Sequence, residues 1–223
     1  MSIDMMFRNI EKSKRWKKAT ELKTTKSRAL EAAIALKGVY QGKGKNVKST
    51  EWWFYTKNDI QYLAIAGTNE WLDWVLNVIL LSVKGIKFYA WFSARRIFKA
   101  IKEEGYDEKK ELVIACHSKS CTTGFAIKLH HTPLARCIAF CPAPGFKKAP
   151  LMQDGRTLIF VDPDDLVPHA GDITFDNPDA PVSYLPRDKN FFDFIGRIAD
   201  HSMDHIIKYL QGKEQYTIDK DVV

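Results

Sequence analysis

The segment Leu112-Val-Ile-Ala-Cys-His-Ser-Lys-Ser-Cys-Thr-Thr-Gly-Phe-Ala-Ile127 decides the fold. An apolar, β-branched run stops at a short polar turn, and an amphipathic stretch follows at once, which predicts a strand, a sharp turn and a helix. Ser118 lies at the tip of this turn. A serine in that position is lifted out of the sheet, and the backbone N–H of the next residue, Lys119, faces whatever the serine attacks. The pattern predicts a nucleophile elbow, and the alternative is an ordinary strand-to-helix turn.

The consensus sequence of a nucleophile elbow is Gly-x-Ser-x-Gly, because the residues two positions before and two positions after the serine pack closely against each other. In this chain the two glycine positions hold Cys116 and Ser120. Both residues are small, so we expect that the turn can still form. The motif alone is a weak match, and the rest of the chain must support it.

Charge is unevenly distributed along the 223 residues, whose formal net charge is +7. Residues 1–50 contain thirteen Lys or Arg and four Asp or Glu, so the remainder of the chain is slightly negative. We expect a basic leader over residues 1–22 and one globular domain over residues 23–223. The leader is either a solvated tail or a segment attracted to an anionic surface, which is a membrane or a nucleic acid. Its apolar residues, among them Phe7 and Trp16, favour lipid over DNA, so no nucleic-acid partner is expected.

The four cysteines form no Cys-x-x-Cys pair, and no histidines stand at zinc-finger spacing. We therefore expect buried thiols, with no metal and no cofactor. No secretory signal is visible, and the longest apolar stretch, Trp71 to Val83, is interrupted by Asp73 and Asn77 and is too short to span a bilayer. The expected location is the cytoplasm, or outside the cell by a route that needs no signal peptide.

Strand-like and helix-like segments alternate from residue 51 onward, which predicts an α/β domain with a largely parallel sheet, helices on both faces and an antiparallel start. The predicted strands are Glu51–Thr56, Ile60–Ala66, the Ser118 strand, Arg136–Cys141 and Thr157–Val161. The predicted helices are Thr24–Tyr40, a helix from Glu70 through Leu81, Phe88–Glu104, the helix after Ser118 and Ile195–Leu210. Lys57-Asn-Asp59 is a hairpin turn by composition. Residues 170–190 are predicted to be a loop rich in Pro, Asp and Asn.

A second anion site is predicted where the strand ending in Ala66-Gly67-Thr68 meets the next helix. Backbone N–H groups at the start of a helix favour an anion. Thr68 N–H and Lys119 N–H are therefore the two candidate donors of an oxyanion hole. Asp73 either braces this loop through hydrogen bonds or is a plain first-turn helix aspartate.

Ser118 is followed along the chain by a candidate aspartate and then by a candidate histidine. The resulting order, Ser, Asp, His, is that of an α/β-hydrolase triad. The acid is predicted to be Asp165, with Asp162 and Asp164 as alternatives, and the base His201, with His205 as its alternative. A neutral serine needs a base to take its proton, and a carboxylate fixes the tautomer of that base. His117 is expected to be a buried supporting residue.

These segments together resemble the class 3 lipases of the α/β-hydrolase superfamily over roughly residues 25–210. Ala64-Ile-Ala-Gly-Thr68 with Asp73-Trp74 is similar to their oxyanion strand and loop, and Ala115-Cys-His-Ser118 resembles their elbow, with His117 where the family typically has histidine. Ala139-Phe-Cys-Pro-Ala-Pro144 resembles the next strand and turn, and Asp165-Leu-Val-Pro168 the acid motif. His201-Ser-Met-Asp204 is similar to a histidine motif of bacterial and phage-like members.

The resemblance implies hydrolysis of carboxylic esters of lipids through an acyl-serine intermediate, without a metal. It implies that Ser118, Asp165 and His201 form the triad and that Thr68 and Lys119 bind the oxyanion. The alternative is an α/β-hydrolase module that has lost catalysis and binds a membrane or a partner.

Overall fold

The computed structural model of the chain describes residues 18–47, 50–67, 83–142, 155–161, 182–184, 203–213 and 217–218. Within these ranges eight strands form one sheet, and their spatial order is the order of the chain. The strands are β1 (Lys45–Val47), β2 (Thr50–Lys57), β3 (Ile60–Ala66), β4 (Leu112–His117), β5 (Arg136–Phe140), β6 (Thr157–Val161), β7 (Val182–Tyr184) and β8 (Thr217–Ile218).

Four α-helices accompany the sheet in the described ranges. They are α1 (Lys18–Gly38), α2 (Val83–Glu103), α3 (Ser120–His130) and α4 (Met203–Lys208). A π-helical turn follows α1 at Val39–Lys43, and another follows α4 at Tyr209–Lys213. No helix of the described residues is both long enough and apolar enough to cross a membrane.

The antiparallel start of the sheet was predicted from the hairpin between β2 and β3. These strands pair in antiparallel register, with Trp53 opposite Ala64. The turn between them places Asn58 and Asp59 at φ of 50° and 62°. Asn and Asp tolerate this left-handed region, and two such residues in succession match the twist of a hairpin. The predicted hairpin is confirmed.

The strands from β3 to β7 are parallel to one another, while β8 is antiparallel to β7. The predicted α/β class with a mostly parallel sheet is confirmed. The prediction of a loop throughout residues 170–190 was wrong, because Val182–Tyr184 forms β7 and pairs with β6. This three-residue strand is too short to show a period of two, and its hydrogen-bond partners lie more than twenty residues earlier in the chain.

Helices cover both faces of the sheet. The side chains of β4 alternate between them, so that Ile114 and Cys116 join the core under α2 and α3. Val113 and Ala115 join the core under α1 and α4. Because β4 is buried on both faces, its sequence is an uninterrupted apolar run, as expected for a central strand of a parallel sheet.

Candidate active site

Ser118 lies in the tight turn between β4 and α3. It is a non-glycine residue in the left-handed region, with φ of 58°. The turn is fixed from both sides, because Ser118 N–H donates to the carbonyl of Phe140 at 3.0 Å and the Ser118 carbonyl accepts from Cys121 N–H at 3.1 Å. A left-handed residue of this kind costs about 1–3 kcal/mol and persists only where the surroundings hold it. The structure therefore has the strained strand-to-helix turn that an elbow needs.

Ser120, which stands in a usual glycine position, is bonded into the turn. Its hydroxyl accepts from His117 N–H at 3.2 Å, and its own proton can go to the carbonyl of His117 at 2.8 Å or to the carbonyl of Ile65 on β3. The residue is buried. The hydroxyl thus joins the two strands that end beside Ser118.

Cys116, in the other usual glycine position, is accommodated by a glycine on the helix. A Cβ atom on Gly124 would lie 2.9 Å from Cys116 Sγ and 3.1 Å from Cys116 Cβ. Because atoms do not approach that closely, any side chain at position 124 would push against the strand. The absence of a side chain at Gly124 therefore leaves room for the side chain of Cys116.

The end of β3 passes directly beside Ser118. A Cβ on Gly67 would lie 3.2 Å from Ser118 Cβ and 3.3 Å from the carbonyl of His117, so a side chain here would crowd the turn. Thr68 itself lies outside the described residues, and Gly67 is its immediate predecessor. The chain therefore leaves the described region toward Thr68 from a point in contact with Ser118.

A tyrosine from the turn after α1 joins these two strand ends. The Tyr40 hydroxyl accepts from Gly67 N–H at 3.1 Å and lies 2.7 Å from His117 Nδ1. The hydroxyl can donate its one proton to Nδ1 when the His117 ring carries its own proton on Nε2. Burial raises the pKa of Tyr40 well above its ordinary value, so this donor stays protonated. His117, the residue before Ser118, is buried.

Three of the remaining predicted site residues, Asp73, Asp165 and His201, lie outside the described residues. So do Asp162 and Asp164, the alternatives for the acid. Lys119 is described and stands at the N-cap of α3 with helical φ and ψ of −55° and −36°. The backbone of His205, the alternative base, lies in α4.

The described residues next to these positions lie at the Ser118 edge of the sheet. Because β4 and β6 point the same way, Val161 ends β6 at that edge, four residues before Asp165. At the start of α4, Asp204 forms an ion pair with Lys37 at 2.5 Å. Lys37 lies one helical turn before Tyr40, so this ion pair joins the start of α4, two residues after His201, to the end of α1.

The cysteines around the elbow are buried thiols, as predicted, and none is in a disulfide. Burial raises the pKa of Cys116 and of Cys121. Since the thiolate is the reactive form of cysteine, both are poor nucleophiles. In the described part of the chain, no three His, Cys, Asp or Glu side chains are grouped as a metal site requires.

Comparison with solved structures places this arrangement among known folds. One similar structure is a mutant form of MDLA from Penicillium cyclopium, with a TM-score of 0.57, 16% identity, and coverage of 78% of this chain and 83% of that one. Another is a fungal lipase, with a TM-score of 0.55, 17% identity, and coverage of 77% and 82%. The chain shares its α/β fold with a fungal lipase. No protein-family model matches the sequence, and no curated protein does.

Two residues of the elbow were not predicted from the sequence. Gly124 carried a usable indication, because an isolated glycine inside a helical pattern marks a close approach of another segment. No sequence pattern indicated a role for Tyr40, since its hydrogen-bond partners lie 27 and 77 residues away in the chain. Only the fold brings them together.

Proposed function

We propose that this protein is a serine ester hydrolase of the class 3 lipase type that cleaves carboxylic esters of lipids. The observation that carries the proposal is Ser118, a strained serine at the tip of a strand-to-helix turn. The replacement of both elbow glycines by Cys116 and Ser120 is an argument for a module without catalysis. The hydrogen bonds of Ser120 and the contact of Cys116 with Gly124 remove that argument, because the turn forms with these residues in place.

In the proposed mechanism, Ser118 Oγ attacks the ester carbonyl and gives its proton to His201. Asp165 orients His201 and stabilises the imidazolium. The oxyanion accepts from Thr68 N–H and Lys119 N–H, and each such donor contributes about 3 kcal/mol to lowering the barrier. His201 then protonates the departing alcohol, and water, activated by the same histidine, releases the acid from Ser118.

Three features support the placement of these groups. Gly67 brings β3 into contact with Ser118 just before Thr68. The chain enters the Asp165 segment from the Ser118 edge of the sheet, and the Lys37–Asp204 ion pair holds the start of α4 near the turn that follows α1. Asp73 would brace the oxyanion loop, and the buried His117 supports the elbow.

The proposed substrate is a lipid-like ester, because the resemblance and the shared lipase fold agree on that class. The basic residues 1–22 would raise the local concentration of the enzyme at an anionic membrane. Deleting these residues should then weaken binding to anionic vesicles, and unchanged binding would contradict this part of the proposal.

The proposal is tested by hydrolysis of p-nitrophenyl esters from acetate to palmitate, with the wild type and Ser118→Ala. We expect wild-type activity that is lost in Ser118→Ala, His201→Ala and Asp165→Ala, while His205→Ala retains it. Activity that survives in Ser118→Ala would show that Ser118 is not the nucleophile. If the wild type is inert on all of these esters and on phospholipid vesicles, the binding module becomes the better account.

A further inference from the structure

The outer face of α2 carries a row of cations interleaved with aromatic rings. The helix sequence holds six Lys or Arg and one Glu. We call the outward residues Trp91, Phe92, Arg95, Arg96, Lys99 and Lys102 the cation–aromatic face. All four cations are exposed, and Trp91 is 40% exposed. The buried side of the same helix packs on the sheet through Ala94, Ile97 and Ile101.

Each aromatic ring of this region has a cation of the next helical turn over it. Arg96 lies 4.2 Å from the Phe92 ring centre, Lys102 lies 4.8 Å from that of Phe98, and Arg95 lies 6.0 Å from that of Trp91. This contact holds the aliphatic stems along the rings and directs the charges outward. The charges are therefore arranged along one side of the helix.

A groove of about 480 Å³ lies on this face, and His131 lines it together with residues of α2. His131 stacks on Phe98 with ring centres 4.6 Å apart. Its pKa is lowered by burial and further by the neighbouring charges of His130, Lys102 and Arg95. Two carboxylates lie near lysines of the groove but form only long ion pairs. Glu103 lies 3.9 Å from Lys99, and Glu108 lies 3.9 Å from Lys102. The groove thus lies in a net positive field.

We propose that the cation–aromatic face docks the protein on a membrane surface rich in anionic phospholipid. From Trp91 to Lys102 the face extends about 17 Å along the helix axis, at about 1.5 Å per residue, and it can lie along a bilayer surface. Lys and Arg near such a surface attract its anionic headgroups, and an exposed tryptophan is the side chain that favours the membrane interface. Single-stranded nucleic acid fits less well, because it binds by stacking on aromatic faces, and Arg96 already lies over the Phe92 ring.

This contact is separate from the proposed reaction. His131 lies beyond the last residue of α3, whereas Ser118 precedes its first, so the two are about 16 Å apart along the helix axis. Ser118 is therefore not among the residues of the cation–aromatic face. Membrane binding and ester hydrolysis can therefore succeed or fail independently.

The test is co-sedimentation of the full chain with vesicles of phosphatidylcholine alone and of phosphatidylcholine mixed equally with phosphatidylserine. The variant is Arg95→Gln, Arg96→Gln, Lys99→Gln. The matched control is Lys43→Gln, Lys109→Gln, Lys208→Gln, which removes the same number of exposed cations from other parts of the surface. Circular dichroism confirms that each variant is folded.

We expect binding to the mixed vesicles only, weakened by added salt. Each lost cation should weaken binding about five-fold, so the face variant should bind roughly a hundred-fold more weakly, and the control much less so. The proposal is overturned if both variants lose binding equally, if the face variant binds like the wild type, or if the wild type ignores anionic vesicles. Binding of a fluorescent oligonucleotide that is lost in the face variant, without vesicle binding, would identify a nucleic-acid surface instead.

Discussion

Replacing Gly124 by alanine should destabilise the protein, although alanine favours helices. The new Cβ would lie 2.9 Å from Cys116 Sγ, which is itself fixed between β3 and β5 and lies 4.0 Å from Cys137 Sγ. Because Cys116 has little room to retreat, overpacking should cost about 3 kcal/mol, the upper part of its usual range. The higher helix propensity of alanine relative to glycine should stabilise α3 by about 1 kcal/mol. The net loss in the free energy of unfolding should be about 2 kcal/mol.

Removing the sulfur should reverse this effect. Cys116→Ala alone leaves a small cavity and should cost about 1 kcal/mol. In the double variant, the methyl group introduced at position 124 occupies the space of the sulfur, so the stability of this variant should return close to that of the wild type. The expected coupling between the two positions is therefore about 2–3 kcal/mol.

Urea unfolding of the four proteins, followed by far-ultraviolet circular dichroism, gives these free energies. A Gly124→Ala variant as stable as the wild type would refute the packing argument. So would a double variant whose loss equals the sum of the two single losses, because the Cys116–Gly124 contact would then not be what shapes this elbow.

Three further predictions concern the same region. Tyr40→Phe leaves the buried Gly67 N–H without its acceptor, so it should lower the free energy of unfolding by about 1–3 kcal/mol. It should also reduce kcat for esters more than it raises KM, whereas the control Tyr55→Phe, whose hydroxyl bonds Glu31 elsewhere, should leave kcat unchanged. Ser120→Ala removes the acceptor of His117 N–H and should cost a similar free energy in urea unfolding; an unchanged midpoint would contradict the role given to this hydroxyl. The four buried thiols should resist DTNB in the native protein at mildly alkaline pH, since burial raises the pKa of Cys116 and Cys121, and all four should react in concentrated guanidinium; fast native reaction would mean that the core opens.

The parts of the fold that sequence reasoning predicted are those set by neighbouring residues. Asn58 and Asp59 specify the hairpin turn locally, and the apolar run ending at Ser118 specifies a buried strand and a turn. β7 was missed because its pairing with β6 is decided by a distant backbone rather than by its own three residues.

The same division holds at the candidate site. Ser118 was predicted from adjacent residues, and its left-handed φ agrees with the turn expected there. The link from Tyr40 to His117 and Gly67 was not predicted, because hydrogen-bond partners so far apart leave no periodic pattern. The fit of Cys116 against Gly124 likewise depends on how α3 packs on β4.

The most direct test of a nucleophilic Ser118 is labelling of the native protein with a fluorophosphonate, followed by peptide mapping. Only a serine activated by a base and an oxyanion hole reacts readily with this probe. We predict one label, on Ser118, that is absent from Ser118→Ala and from the unfolded wild type. A native protein that takes no label, or takes it on another serine, would contradict the account.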